Sequence, residues 1–246
     1  MQVAPLALGT VNLGRNAGLK YPRPAPIPTD GEARTLLQCA HKLGINLLDT
    51  APAYGNSESR LGELLRADRG HWLICTKVGE EFDGKASRFD FTPEAVAHSV
   101  TRSLARLQMD VLDIVLIHSD GADETILDEL GTLDALKDLK QKGLIRAVGI
   151  SHKSSAGALR ALDLNVDVIM ATLNRSYVDE ANVIGQAARQ GCGVLIKKAM
   201  DSGHGGSEDL QFVAQQPGVH SIVVGTTNPV HLTENADTVA TAFTSA

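Results

Sequence analysis

A closed ring of eight parallel βα units, a (β/α)8 TIM barrel, is the fold this sequence predicts. Three observations lead there. Eight short apolar runs alternate with eight helical stretches along the chain. The length, 246 residues, suits such a barrel held as one domain. The phosphate-binding fingerprint of the rival open, doubly wound sheet is missing, because Gly9 is followed by Thr10, Val11, Asn12, Leu13 and Gly14 instead of Gly-x-Gly-x-x-Gly.

The elements follow in chain order. Strand Ala4–Gly9 leads into an irregular stretch, Asn12–Asp30, whose glycines and prolines mark an extended loop over the barrel mouth. Helix Gly31–Leu43 ends at Gly44, a residue suited to the left-handed position past a helix. Strand Asn46–Asp49 and helix Ser57–Arg66 come next, then strand Trp72–Lys77. Thr92-Pro93-Glu94 supplies a cap, a first-turn proline and a first-turn acid for helix Pro93–Leu107. Strand Leu112–His118 precedes a long predicted helix, Ile126–Lys142, closed by Gly143. The pattern continues with strand Ile145–Ile150, helix Ser154–Leu162, strand Asp167–Ala171 and helix Asp179–Gln190, which Gly191 closes. Strand Gly193–Lys197, helix Glu208–Gln215, strand Ser221–Val224 and helix Pro229–Thr241, the last behind an Asn228-Pro229 cap, complete the set.

Composition narrows the function. Hydrophobic residues are 43% of the chain, enough for a large core and incompatible with a disordered protein. A net charge of −6 disfavours general binding to nucleic acid or an anionic membrane. No run of apolar residues is long enough to cross a bilayer, and Met1–Thr10 lacks the basic and apolar regions of a secretory leader. The three cysteines, Cys39, Cys75 and Cys192, are odd in number and widely spaced, which argues for reduced thiols in a cytoplasmic protein over a disulfide framework or a metal cluster.

In a parallel barrel the working face is the carboxyl end of the strands. Asp49, Lys77 and His118 end three consecutive predicted strands, and Tyr54 lies five residues past Asp49. A phenol titrating near ~10 is a weak acid at neutral pH. An ammonium ~4 Å away, at an effective dielectric of ~20, favours the phenolate by about 4 kcal/mol before the cost of burial. A carboxylate keeps that ammonium charged, and a histidine beside the phenol can donate a hydrogen bond to a carbonyl oxygen. Such a group moves a proton to a developing alkoxide; the reducing equivalents must come from a cofactor.

The stretch Asn46-Leu47-Leu48-Asp49-Thr50-Ala51-Pro52-Ala53-Tyr54-Gly55-Asn56-Ser57-Glu58-Ser59-Arg60-Leu61-Gly62-Glu63-Leu64-Leu65 closely resembles the signature of the aldo-keto reductase family, as do Thr76-Lys77, Asp113-Ile114-Val115-Leu116-Ile117-His118 and Gly149-Ile150-Ser151. The resemblance runs from Leu8 to Asn235. It implies an oxidoreductase that interconverts carbonyls and alcohols with NADP(H), the favoured cofactor, or NAD(H). Tyr54 would be the general acid/base, Lys77 its tuner, Asp49 the partner of Lys77, and His118 the group that orients the carbonyl. It further implies cofactor contacts from Thr10, Asp49, Ser151, His152 and Lys197. Past the last strand, Gly225, Thr226, Thr227, His231 and Asn235 would grip the adenosine phosphate at a helix N-terminus. The family's usual Ser-Asn after the fifth strand is Ser151-His152 here, a common glutamine is Met170, and where strand seven often presents a stacking aromatic this chain has Ile196-Lys197-Lys198. A small-molecule carbonyl or alcohol substrate and a monomeric state follow from the same resemblance; oxidation of a sugar in the reverse direction, and a non-catalytic nucleotide-binding subunit, are the alternatives. The first loop, with Tyr21, is the expected wall of the substrate pocket. Gly79–Ala86 approximates a phosphate loop but lacks its final hydroxyl and carries three acids, so it reads as an ordinary loop at the mouth. Ser202–Gly206, after the seventh strand, could drape over a bound dinucleotide.

Overall fold

Side chains alternate along a strand, so each apolar run presents one face to the barrel interior and one to the helices around it. The structure, a computed structural model, describes residues 1–19 and 26–244. Its strands are β1 (Leu6–Gly9), β2 (Leu47–Asp49), β3 (Leu73–Val78), β4 (Glu80–Phe82), β5 (Ser87–Phe89), β6 (Leu112–His118), β7 (Ile145–Ser151), β8 (Val168–Thr172), β9 (Gly193–Lys197) and β10 (Ser221–Gly225). Eight of these pair in parallel and close a barrel in the order β1-β10-β9-β8-β7-β6-β3-β2. The interior is filled by Ala7, Leu47, Cys75, Ile114, Leu116, Ala147, Val168, Met170 and Leu195. The opposite faces of the strands join the helices in a second, larger core. Each fully buried Leu or Ile in either layer contributes about 1.5–3 kcal/mol.

The helices are α1 (Val11–Gly14), α2 (Asp30–Lys42), α3 (Ser57–Leu64), α4 (Pro93–Leu107), α5 (Asp123–Asp128), α6 (Thr132–Gln141), α7 (Ser155–Asp163), α8 (Ala181–Arg189), α9 (Ser207–Ala214) and α10 (Pro229–Thr244). Local capping sets several starts. Thr29 and Glu32 form a reciprocal capping box on α2. The Thr92 hydroxyl accepts from Ala95 N at 3.3 Å, and Ser154 from Gly157 N at 3.0 Å.

Two expectations are corrected. The long helix Ile126–Lys142 is two helices, α5 and α6, because Gly131 takes a left-handed conformation (φ 72°) and the Thr132 hydroxyl bonds Phe91 O at 2.6 Å. Ile126, Leu127, Leu133 and Leu136 are buried on both sides of the break, so the apolar pattern runs through it. Gly79–Ala86 is also more than a loop: Glu80–Phe82 and Ser87–Phe89 pair as an antiparallel hairpin projecting from the end of β3. Among the described residues no helix is long and apolar enough to cross a membrane. Cys75 and Cys192 are buried, Cys39 is half-buried, and all three are free thiols.

Candidate active site

Strand parity assembles the site. Leu47, Cys75, Leu116, Ala147 and Leu195 point inward, so the inward positions at the strand ends are Asp49, Lys77, His118, Ser151 and Lys197. Register levels them: Gly9 pairs with Asp49, Asp49 with Cys75, and His118 with Ser151. Lys77 stands two residues beyond Cys75, one layer above Asp49, within reach of its carboxylate.

Lys77 Nζ donates to Asp49 Oδ1 at 2.6 Å, to Thr50 O at 2.9 Å and to the Tyr54 hydroxyl at 3.3 Å. All three donors of the ammonium are therefore engaged. Burial would lower the Lys77 pKa, but Asp49 and Tyr54 outweigh it and the net direction is upward, so the side chain stays charged. Tyr54 moves above its ordinary value: burial dominates over the favourable effect of Lys77. The lysine reduces the cost of ionising the phenol without making it a resting phenolate. Because Tyr54 accepts from Lys77, its own hydrogen is left for another partner.

Tyr54 is held by an interlock of two glycines. Gly55 has φ +63°, and a Cβ there would lie 2.1 Å from Gly14 O. A Cβ on Gly14 would lie 2.3 Å from Tyr54 O. The end of α1 thus packs directly against the Tyr54 turn, a contact that no side chain could fit. Thr10 supports the same turn. It is fully buried, its hydroxyl donates to Asp49 O at 2.9 Å, and Ser57 Oγ lies 2.9 Å from it.

His118 Nδ1 lies 2.7 Å from Glu80 Oε2 on the hairpin. Glu80 Oε1 accepts from Ser87 Oγ at 2.5 Å. Although burial alone would raise it, Glu80 is held down at about 2 by His118, Ser87 and Arg15. Burial and Lys77 lower the His118 pKa against the opposing pull of Glu80. Arg15 completes this side: its guanidinium stacks 3.4 Å from the Phe82 ring centroid and donates to Ala53 O at 3.0 Å. Neither Glu80 nor Arg15 was anticipated from the sequence. The available signal for Glu80 was its place three residues past Lys77, in the connection after a barrel strand.

A cavity of about 770 Å³ opens above these groups and adjoins a deeper chamber of about 360 Å³; Tyr54, His118 and Gly225 border both. Volumes of this size suit small-molecule and cofactor binding. Thr10, Asp49, Ser151 and Lys197 border the chamber, while Thr226, His231 and Asn235 border the outer cavity with Glu234. Thr227 is half-buried beside them. Arg15, Gly18 and Leu19 bring the first loop to the mouth, and Tyr21 lies outside the described residues. Ser202, Gly203 and Gly206 border the opposite side.

Two of the anticipated cofactor residues already have partners within the protein. His152 is fully buried, with Nε2 2.7 Å from Glu180 Oε2, so its side chain faces the helix layer and not the chamber. The Thr10 hydroxyl is committed to the framework between Asp49 and Ser57. Lys197 Nζ donates to Ser151 Oγ at 2.9 Å and to His152 O at 2.6 Å. Among the described residues no three His, Cys, Asp or Glu side chains converge as a metal site.

The aldo/keto reductase family model matches residues 5–203. A crystal structure from Pseudomonas aeruginosa assigned to the aldo-keto reductases is 47% identical, covers 98% of this chain and 92% of its own, and superposes with a TM-score of 0.90. Among curated relatives, the L-galactose dehydrogenase of Arabidopsis thaliana is 36% identical over 61% of this chain, a stretch that spans 45% of that enzyme. The D-threo-aldose 1-dehydrogenase of a Pseudomonas species is 25% identical over 85% of this chain and 83% of its own length. The chain thus spans about half the length of the first of these relatives.

Proposed function

The chain belongs to the aldo/keto reductase family and is an oxidoreductase, and from that premise we propose that it interconverts a small carbonyl compound and the corresponding alcohol with a nicotinamide dinucleotide, Tyr54 serving as the general acid/base. One observation carries the reading: the Tyr54 hydroxyl, 3.3 Å from an ammonium that Asp49 holds in place, borders a chamber large enough for a reacting carbonyl.

The chain's own groups suit the proton side of such a reaction. Tyr54 rests protonated and its hydrogen is free to meet a carbonyl oxygen. As charge develops on that oxygen, the proton passes to it and the resulting phenolate is stabilised by Lys77. Asp49 keeps Lys77 charged and oriented throughout. With ionised Glu80 2.7 Å from Nδ1, the proton of neutral His118 is favoured on that nitrogen, and Nε2 would then accept from a substrate hydroxyl. This differs from the donor role that the chemistry of the residue set suggests, and it suits a polyhydroxylated carbonyl. The names of the two curated relatives, both sugar dehydrogenases, support that class and the oxidative direction as a second reading.

The strand ends also fit the dinucleotide. When bound, the reduced cofactor supplies hydride to the carbonyl carbon. Ser151 and Lys197 would meet its ring end. The Gly225–Asn228 turn, leading into the N-terminus of α10, would meet an adenosine phosphate. Around that turn His231 is the basic side chain and Glu234 faces the same cavity, an arrangement that favours NAD(H) over a dinucleotide bearing an extra phosphate.

The test is Tyr54→Phe. Carbonyl turnover should fall by roughly 10²–10⁴-fold with dinucleotide affinity preserved. Wild-type turnover in that variant would end the assignment of Tyr54.

A further inference from the structure

Lys197 is a second cation at the floor of the mouth, separate from the Lys77–Asp49 pair. It ends β9 on an inward position and borders the chamber that Tyr54, Lys77 and His118 also border. Two hydrogen bonds, to Ser151 Oγ and His152 O, tie its Nζ down. An ammonium has three donors, so one remains. Among the described residues no carboxylate lies within ion-pair distance of Nζ, in contrast to Lys77, which Asp49 contacts at 2.6 Å.

Resting on the function proposed above, geometry restricts where a hydride donor can sit. Reacting atoms must come within ~3–3.5 Å. The carbonyl oxygen is at Tyr54, so the nicotinamide ring must enter the same small chamber, and Lys197 is part of its wall. We propose that Lys197 discriminates between the redox states of the nicotinamide, its ammonium disfavouring the cationic oxidised ring and tolerating the neutral reduced one.

Both forms of the cofactor carry the same pyrophosphate, so attraction of Lys197 to phosphate cancels when the two affinities are compared. What remains is the charge on the ring. That charge experiences an ammonium only while Lys197 holds its proton. Burial, together with Lys198 and Lys77, lowers its pKa to about 7. The groups facing it are Lys198 on its own strand end, Lys77 from β3, Glu180 just ahead of α8 and Asp123 opening α5. His118 from β6, Lys153 after β7 and Asp49 from β2 border the same chamber. A neutral amine still offers two N–H groups, enough for both existing hydrogen bonds. Loss of the proton therefore removes the charge without requiring the side chain to move. Preference for the reduced cofactor is strong below neutrality and fades above it, which biases the enzyme toward reduction in acid and toward oxidation in base.

The experiment is equilibrium binding of NADH and NAD⁺, repeated with NADPH and NADP⁺, by titration calorimetry at about pH 6 and about pH 8.5, on either side of an ordinary neutral point. In the wild type the ratio of oxidised to reduced dissociation constants should fall on the order of tenfold as the pH rises. Lys197→Met should make the ratio low and independent of pH. Lys197→Arg, charged throughout, should make it high and independent of pH. A wild-type ratio that does not change with pH, or a pH-dependent ratio that persists in Lys197→Met, overturns the role of Lys197 while leaving the nicotinamide reading intact. Failure of the wild type to bind any of the four dinucleotides overturns that reading and this inference with it.

Discussion

Glu80 Oε2 lies 2.7 Å from His118 Nδ1, which joins the β4–β5 hairpin to the barrel strand that carries the histidine. The carboxylate raises the His118 pKa against the downward pull of burial. Glu80→Gln removes that support. The pKa of His118 should fall further, and any limb it contributes to the kcat/KM profile should move to lower pH. Loss of the anchor should also reduce kcat/KM by roughly tenfold, within the range for a misplaced catalytic group. Steady-state rates across pH check both effects; an unmoved acid limb would separate Glu80 from the chemistry.

The same carboxylate makes an acid-dependent contribution to stability. Its folded pKa, about 2, lies below the ordinary value of 4.5. A depressed carboxylate stabilises the fold above its unfolded pKa and loses that contribution as pH falls toward its folded one. The stability gap between wild type and Glu80→Gln should therefore close between about pH 4.5 and about pH 2, and urea unfolding at several pH values measures it.

Lys77 and Asp49 are a buried pair, with side chains 2% and 6% exposed. Lys77→Met leaves Asp49 as an uncompensated charge and should cost about 3–5 kcal/mol of stability. Replacing Asp49 by Asn in the same protein should recover much of that loss while carbonyl turnover stays abolished. Thermal and urea unfolding of the single and double variants, alongside rates, distinguish the structural from the chemical role of the pair.

Gly55→Ala tests the framework under Tyr54. The position needs φ +63°, and the added methyl would meet Gly14 O. The backbone strain costs about 1–3 kcal/mol, and the clash displaces the Tyr54 turn. Turnover should fall well beyond what the loss in stability explains, while cofactor affinity, proposed to rest on Ser151, Lys197 and the turn before α10, changes little.

Glu234 lies on the outer cavity with His231. NADH should bind more tightly than NADPH, and Glu234→Gln should narrow the difference by several-fold through loss of a like-charge contact with the additional phosphate. Side-by-side titrations with both dinucleotides read this directly.

The barrel was legible because its periodicities are local. Apolar runs at strand spacing, caps such as Thr92 and Ser154 and closing glycines specify elements without reference to the rest of the chain. Asp49, Lys77 and His118 were legible for a related reason: each stands on the inward parity at the end of its own strand, so alternation along a short segment already aims it at the mouth. The break at Gly131 was hidden because buried leucines continue on both sides of it at helical spacing.

Other features depend on segments distant in sequence, and only their packing reveals them. Glu80 meets His118 across 38 residues because β3 pairs with β6, Val78 opposite Ile117, which sets the residues just past the end of β3 beside His118. The buried His152 side chain meets Glu180, while Lys197 on the neighbouring strand end meets Ser151 at the chamber. The proton affinity of Tyr54 belongs in this class as well. Proximity of an ammonium is readable from motif spacing, but the opposing cost of burial is a property of the whole surrounding shell, and here burial is the larger of the two.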